Sequence, residues 1–332
     1  MKSVKITRPG SIQVEDVPML TPAIGEVIVS IAYSGICGSD VELRAGRRPA
    51  EFVSYPVVPG HEWSGTVAKV AEGGNSSLLG RRVVGKNNLG CGQCASCQAD
   101  LPMFCAGGYR EIGFTEDGAW AEQLRVPAAN VYVLEDDVDL RSAACLEPAA
   151  CVADAVRLAQ LQPGQRAAVV GAGNLGLLAV QLLADLQLAE LVVVEPDPER
   201  GSRAEEFGAT KSCHPDETSA SGFDVSIETA GCCDAAQSAV DLLGRAGHVI
   251  LLGIPSGDDS LLVRDLVTKR IELSTIFGAT SQGWEEAVSA FRSGRLDPGK
   301  LVTHEFPIDE AGTALDLLDS KVPGVGKVLL HP

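Results

Sequence analysis

Hydrophobic and polar positions follow two different rhythms along this chain. Up to about residue 135, short apolar runs rich in branched residues alternate with turns bearing Gly and Pro, as in Glu26-Val-Ile-Val-Ser-Ile-Ala32, Gly65-Thr-Val-Ala-Lys-Val70 and Arg81-Arg-Val-Val84. Runs of this length and composition suit a pleated, half-buried surface, and their close spacing predicts a β-rich, partly closed barrel-like unit. From residue 153 to 279 the rhythm changes. Ala167-Ala-Val-Val170 is a short apolar strand, followed by a glycine turn and a helix-length apolar stretch over 175–186. Residues 191–194, 223–228 and 248–252 continue the series of strands. Strands alternating with helices imply a parallel, doubly wound sheet. Residues 284–294 and 311–318 read as helices, and 326–330 as a final β run that returns to the first domain. The expected division is therefore residues 1–152 with 280–332, and residues 153–279 as an insert.

Composition narrows the classes of function. At 332 residues the chain can bury two ordinary cores. A formal charge of −17 would be repelled by a phosphate backbone, so nucleic acid is not an expected partner. No apolar run reaches the ~18–20 residues of a membrane span, and the first residues lack the apolar segment of a secretory signal. A soluble, cytoplasmic protein with no membrane partner is expected.

The chemistry is concentrated in three places. Cys91, Cys94, Cys97 and Cys105 fall within 15 residues, spaced C-x2-C-x2-C-x7-C. One loop with that spacing can wrap a tetrahedral metal with four thiolates, as in a closed structural zinc site. Gly90 and Gly92 permit the tight turns the wrap needs, and four free thiols so close together would invite oxidation. A second donor set lies upstream: Cys37 in Gly35-Ile-Cys-Gly-Ser-Asp40, and His61 with Glu62 in Pro59-Gly-His-Glu-Trp-Ser-Gly65. Mixed donors from separate segments suit a catalytic metal with an open position, so two zinc ions per chain are expected, one structural and one catalytic. Cys145, Cys151, Cys213, Cys232 and Cys233 fit neither set and read as small buried hydrophobes.

The third place is Gly171-Ala-Gly-Asn-Leu-Gly176, a G-x-G-x-x-G that follows a strand pattern and opens a helix pattern, the context a dinucleotide fingerprint requires. Gly171 permits the tight turn, Gly173 lets the backbone approach a pyrophosphate, and Gly176 allows close helix–strand packing. Asn174 and Leu175 then stand at the helix N-terminus facing the phosphates. Glu195 closes the next strand, where its carboxylate can accept hydrogen bonds from the adenosine ribose diol and repel a 2′-phosphate. NAD is expected over NADP, with Asp197 as an alternative to Glu195. Arg200 and Arg203 leave room for NADP, although a solvated helix start explains them equally well. Arg200 and Gly253, which follows the 248–252 run, are also expected to contact the cofactor.

In this order, Gly35-Ile-Cys-Gly-Ser-Asp40, Gly60-His-Glu-x2-Gly65, the four-cysteine lobe, Asp117-Gly-Ala-Trp-Ala-Glu122, Glu147-Pro148 and Gly171 to Gly176 resemble the zinc-containing medium-chain dehydrogenase/reductase superfamily. The resemblance spans essentially the whole chain and is nearest to the polyol, threonine and cyclitol branch, which includes enzymes like 2-deoxy-scyllo-inosamine dehydrogenase. It implies an α/β protein with a GroES-like β-rich catalytic domain and a Rossmann domain, and a homodimer or homotetramer. It also implies that Cys37 and His61 are direct zinc ligands and that Glu62 is a third ligand or one that exchanges with water. Glu147 would occupy the fourth ligand position, directly or through water. Zinc would act as a Lewis acid on the substrate hydroxyl, and hydride would pass to NAD. Ser39 would take the alcohol proton, and Asp40 would accept a hydrogen bond from the distal nitrogen of His61.

Two positions depart from the family pattern. Glu42 stands where many relatives carry the histidine that ends the proton relay, and Asp154 stands at another frequent histidine position. Glu42 either replaces the terminal base or is a surface acid, with protons leaving through water. Arg44, Arg47 and Arg48 either meet an anionic substrate or belong to a solvated loop. The expected function is NAD-linked oxidation of a secondary alcohol in a polyol, amino alcohol or cyclitol, with the departures favouring a cyclitol or aminocyclitol. The alternatives are an NADPH-linked aldehyde or ketone reductase and a non-catalytic nucleotide-binding protein that keeps the fold.

Overall fold

The computed structural model describes residues 1–217, 221–255 and 257–332. It divides into two compact units, Met1–Glu147 with Pro298–Pro332, and Pro148–Asp297. The breaks fall at 147/148 and 297/298, where the sequence pattern places them at 152/153 and 279/280. One contact bears on the second break. Asp154, in the helix Leu146–Ala159, accepts hydrogen bonds from the Thr280 backbone N–H at 2.6 Å and its hydroxyl at 2.7 Å. That ties the start of the helix Ser281–Arg292 to the second unit. Asp154 is thus a structural latch, buried to 2% exposure.

The first unit is built on strands β1 (Lys2–Lys5), β2 (Gln13–Asp16), β3 (Glu26–Ile36), β4 (Glu62–Val70), β5 (Arg82–Gly85), β6 (Gln123–Pro127) and β7 (Val131–Val133). Two more come from the C-terminal segment, β14 (Val302–Pro307) and β15 (Lys327–His331). They form a two-stranded pair, β1–β2, and a larger sheet in the order β14-β15-β3-β4-β5-β7, with β6 also paired to β3. Alternating residues of β3 and its neighbours, among them Val27, Val29, Trp63, Val67, Val83, Leu124 and Val126, make one apolar core. Each full burial of such a side chain contributes about 1.5–3 kcal/mol.

Register matters most for function. β3 and β4 are antiparallel with Gly35 opposite Glu62, and β15 is antiparallel to β3 with Val328 opposite Ile36. The residue just past the end of β3 (Cys37), the residue just before β4 (His61), the first residue of β4 (Glu62) and the first residue of β15 (Lys327) are therefore drawn to one end of the sheet.

The second unit is a parallel sheet of β8 (Arg166–Val170), β9 (Glu190–Val194), β10 (Lys211–Cys213), β11 (Phe223–Glu228), β12 (Leu243–Leu251) and β13 (Glu272–Thr275). Its strand order is β10-β9-β8-β11-β12-β13, all pairs parallel. Ala168, Val170, Val192, Val194, Phe223, Val240 and Val249 fill its core. The order reverses between β8 and β11, and ligands of such sheets bind beyond the carboxyl ends of the strands at that switch point. The glycine turn follows β8 there.

Candidate functional site

At the β3–β4 end of the first unit, donor atoms of Cys37, His61 and Glu62 lie within 4.8 Å of one another. Cys37 precedes the helix Gly38–Ala45, and its backbone N–H donates to Asp40 Oδ2 at 2.8 Å, closing the helix start over the thiol. The other Asp40 oxygen faces His61 Nδ1 at 3.5 Å, and among the described residues neither atom has another partner. Asp40 is fully buried and His61 nearly so. A carboxylate behind Nδ1 favours the tautomer that leaves Nε2 free to ligate. Burial disfavours the imidazolium, but the Asp40 carboxylate and Cys37 thiol outweigh it and hold the His61 pKa well above its ordinary value in the metal-free protein. A thiol, an imidazole with its tautomer set and a carboxylate, drawn together in a buried spot, fit a zinc ion.

Glu62 is held in place by a residue that motif reading missed. Lys327 Nζ donates to both Glu62 oxygens at 2.7 Å and to the Ile36 carbonyl at 3.3 Å. Both side chains are buried. Gly35 leaves the room: a Cβ there would lie 2.1 Å from Glu62 Oε2. The signal for Lys327 was present, a lone charge at the head of the apolar run Gly326-Lys-Val-Leu-Leu330. Only the sheet register showed where that charge goes.

Glu147 belongs to the same electrostatic neighbourhood. Desolvation pushes its carboxyl up to about 7; His61 opposes this, the Glu62 and Glu111 carboxylates reinforce it, and Lys327 opposes it again. Ser39 Oγ lies 3.6 Å from Cys37 Sγ. Glu42 points elsewhere. Arg47 grips it with two hydrogen bonds, at 2.9 and 2.8 Å, and that contact lowers its pKa. An acid already paired with a guanidinium is a poor proton acceptor. Arg44 pairs with Asp316 and Asp319.

Arg48 is the arginine of the three that turns inward. Its guanidinium lies 3.6 Å from the centre of the Phe114 ring, and that ring packs on His61 at 4.8 Å. Arg48 Nη2 donates to Glu111 Oε2 at 3.0 Å and to the Tyr109 hydroxyl at 3.2 Å, while the Tyr109 hydroxyl donates to Glu111. Burial raises the Glu111 pKa, opposed by His61 and Arg48.

In the lobe, Cys91, Cys94, Cys97 and Cys105 also gather within 4.8 Å, and none is in a disulfide. Cys91 and Cys97 sulfurs are 4.0 Å apart, close to the ~3.8 Å edge of a tetrahedron with Zn–S of about 2.3 Å. Backbone N–H groups already point at the sulfurs, from Cys94 and Gln93 to Cys91, Ala106 to Cys94, and Gly107 and Cys91 to Cys105. Those from Ala106 and Cys97 pull the Cys94 pKa down to about 6. A Cβ on Gly90 would lie 2.5 Å from Cys97 Sγ. The lobe therefore fits a four-thiolate zinc. Of the remaining cysteines, Cys145 is buried as expected, and Cys151 and Cys213 are half-buried. Cys232 and Cys233 are exposed, because they lie in the turn after β11 rather than in a packed element.

In the second unit, Gly171 adopts φ +97, and a Cβ on Gly176 would lie 2.0 Å from the Gly171 carbonyl. A Cβ on Gly173 would meet nothing within 4 Å, so the backbone there is open on that side. The helix Asn174–Ala184, with Leu175 in its first turn, has Gly173 as its N-cap and no side-chain cap. Its first N–H groups remain available to an anion, which fits a pyrophosphate. Glu195 accepts from the Ala172 N–H at 2.7 Å and the Asp197 N–H at 3.0 Å, leaving lone pairs for a diol. Asp197 instead caps the helix Pro198–Glu206 through Glu199 and Arg200. Arg200 is exposed, 4.0 Å from Asp197. Gly253 packs on Gly231, where a Cβ would lie 2.3 Å from the Gly231 nitrogen, and Glu228 braces that corner through Ala230, Gly231 and Gly253.

Two family models match the chain: the alcohol dehydrogenase GroES-like domain over residues 23–136, and zinc-binding dehydrogenase over residues 174–293. A 2-dehydro-3-deoxy-L-galactonate 5-dehydrogenase of Pseudoalteromonas atlantica is 30% identical over 318 residues, covering 92% of each chain. An L-threonine 3-dehydrogenase of Legionella pneumophila is 28% identical over 344 residues and covers both chains entirely. Among solved structures, an Escherichia coli alcohol dehydrogenase, RspB, complexed with NADH superposes with a TM-score of 0.92 at 27% identity, covering 100% of this chain and 99% of its own. A zinc-binding dehydrogenase of Sinorhizobium meliloti bound to NADP matches with the same TM-score, identity and coverage.

Proposed function

Because the chain belongs to the zinc-containing medium-chain dehydrogenase/reductase superfamily, in its polyol and threonine dehydrogenase branch, we propose that it is an NAD-dependent dehydrogenase with two zinc ions per chain. Its substrate is a secondary alcohol in a polyol, cyclitol or amino alcohol. The observation that carries this reading is the convergence of Cys37, His61 and Glu62, with Asp40 behind His61. An alcohol panel followed at the NADH absorbance tests it, and absence of turnover with every alcohol overturns it in favour of a non-catalytic nucleotide-binding protein.

Cys37 and His61 would hold the catalytic zinc, with Glu62, steadied by Lys327, as a third ligand or one that exchanges with water, and Glu147 at the fourth position, directly or through water. Zinc bound there would supply Lewis acidity toward a substrate hydroxyl, and a bound nicotinamide would supply the hydride acceptor. Asp40 keeps the His61 ring oriented. Ser39 Oγ takes the hydroxyl proton, which leaves through water rather than Glu42. Ser39→Ala is then expected to slow alcohol oxidation by roughly 10²–10⁴-fold. Glu42→Gln should leave kcat and its pH profile unchanged. A Glu42→Gln enzyme slowed most at low pH would put Glu42 back in the relay.

The preference for NAD rests on Glu195 at the ribose diol. Glu195→Ser should reduce discrimination against NADP by about 10- to 100-fold, the scale of a charge-assisted hydrogen bond. The ratio of kcat/KM for the two cofactors measures this. The second reading, an NADPH-linked reductase, draws on exposed Arg200 and the NADP-bound relative. A wild-type enzyme faster with NADP would establish it.

A homodimer or homotetramer is supported by the edge strand β13 and by the exposed apolar side chains beside it, Leu262, Val263, Val267 and Leu273. Cytoplasmic placement is supported by the need of the thiolate lobe for a reducing compartment. Among the described residues no helix is long and apolar enough to cross a membrane. The net charge of −17 argues against nucleic acid.

A further inference from the structure

We propose that Arg48, Tyr109 and Glu111 form a subsite for the additional hydroxyl groups of an uncharged polyhydroxylated substrate. The proposal rests on the dehydrogenase reading and deepens it by choosing among its substrate classes.

Three observations carry it. First, the cluster is placed against the catalytic donors. The Arg48 guanidinium and the His61 ring both pack on Phe114, which is 1% exposed, so one buried aromatic ring sets their separation. Second, the cluster is not sealed. The Arg48 and Glu111 side chains keep 14% and 11% exposure, an open edge on an otherwise buried ion pair. Third, its hydrogen-bonding capacity is only partly used. Arg48 spends Nε on the Phe52 carbonyl and Nη2 on Tyr109 and Glu111. Among the described residues, Nη1 donates to nothing and Glu111 Oε1 accepts from nothing.

Charge decides what belongs there. A guanidinium and a carboxylate already neutralise each other. An incoming carboxylate or phosphate would meet Glu111, and an incoming ammonium would meet Arg48. A hydroxyl both donates and accepts, so it satisfies Oε1 and Nη1 without adding charge. Neighbouring hydroxyls on a ring or chain can use both at once.

The test uses the zinc- and NAD-loaded enzyme with 2-butanol, cyclohexanol, the inositol stereoisomers, the hexitols, streptamine as the cationic ring and quinate as the anionic ring. The best neutral polyol should exceed cyclohexanol, streptamine and quinate in kcat/KM by at least about tenfold. Glu111→Gln keeps the bonds to Arg48 and Tyr109 but turns a donor toward the substrate. Arg48→Lys keeps the ion pair and removes Nη1. Each should lower kcat/KM for the best polyol by about 10- to 100-fold, mainly through KM as lost uniform binding. The loss on 2-butanol should be at least about fivefold smaller than the loss on the polyol. A charged ring as the best substrate, no gain of polyols over cyclohexanol, or equal losses on polyol and 2-butanol would each overturn the subsite. The wild-type ranking decides the matter even if a variant fails to fold. No turnover of any alcohol, 2-butanol included, brings down the dehydrogenase reading itself, whereas good turnover of simple alcohols alone brings down only the subsite.

Discussion

Lys327→Met is expected to destabilise the protein by about 3–5 kcal/mol, because it strands Glu62 as a buried carboxylate without its counter-ion. The pair is almost wholly buried, at 3% and 0% side-chain exposure, with both Glu62 oxygens 2.7 Å from Nζ. Removing both charges together should cost much less. Glu62→Gln added to Lys327→Met should therefore recover most of the loss. Burial lowers the Lys327 pKa, but Glu62, with the Cys37 and Cys145 thiols, outweighs it and raises it above the ordinary lysine value. Its contribution is then complete below the unfolded pKa of about 10.4 and is lost only as pH climbs through the higher folded value. Urea unfolding at pH 7 and pH 9 should give the same difference between wild type and variant. A single variant as stable as wild type would show that the pair does not hold Glu62.

Cys94→Ser is expected to remove one of two zinc equivalents, measured by metal analysis of the purified protein. The Ala106 and Cys97 N–H groups pull the Cys94 pKa down to about 6, which favours the thiolate that a metal needs. A serine hydroxyl stays protonated there and is a harder, weaker donor. The remaining equivalent should sit at the Cys37 and His61 set, and should be the first lost to chelator in the wild type because that set leaves an open position. One equivalent in the wild type, unchanged by Cys94→Ser, would show that the cysteine lobe holds no zinc.

Local sequence carried much of the chemistry. The cysteine lobe was readable because all four donors lie on one short loop, so spacing alone limits their geometry. The glycine turn was readable for the same reason: Gly171 is required by its own φ of +97, and Gly176 by the Gly171 carbonyl five residues before it. Fold class was readable because apolar periodicity reports which face of each strand or helix is buried.

What only the tertiary structure decided concerns charged side chains whose partners are distant in the chain. Motif spacing singled out Glu62 but could not supply Lys327, its partner 265 residues away, because antiparallel register between β3 and β15 brings them together. Glu42 and Arg48 could each read as a site residue or a solvated surface charge, yet one is gripped at the surface by Arg47 and the other turns in to Glu111. Asp154, at a position where relatives often carry histidine, became the anchor of a helix start. Burial and partner choice for a charge depend on the field and the space left by every neighbouring element. Sequence sets which residues can bond; packing sets which of them do.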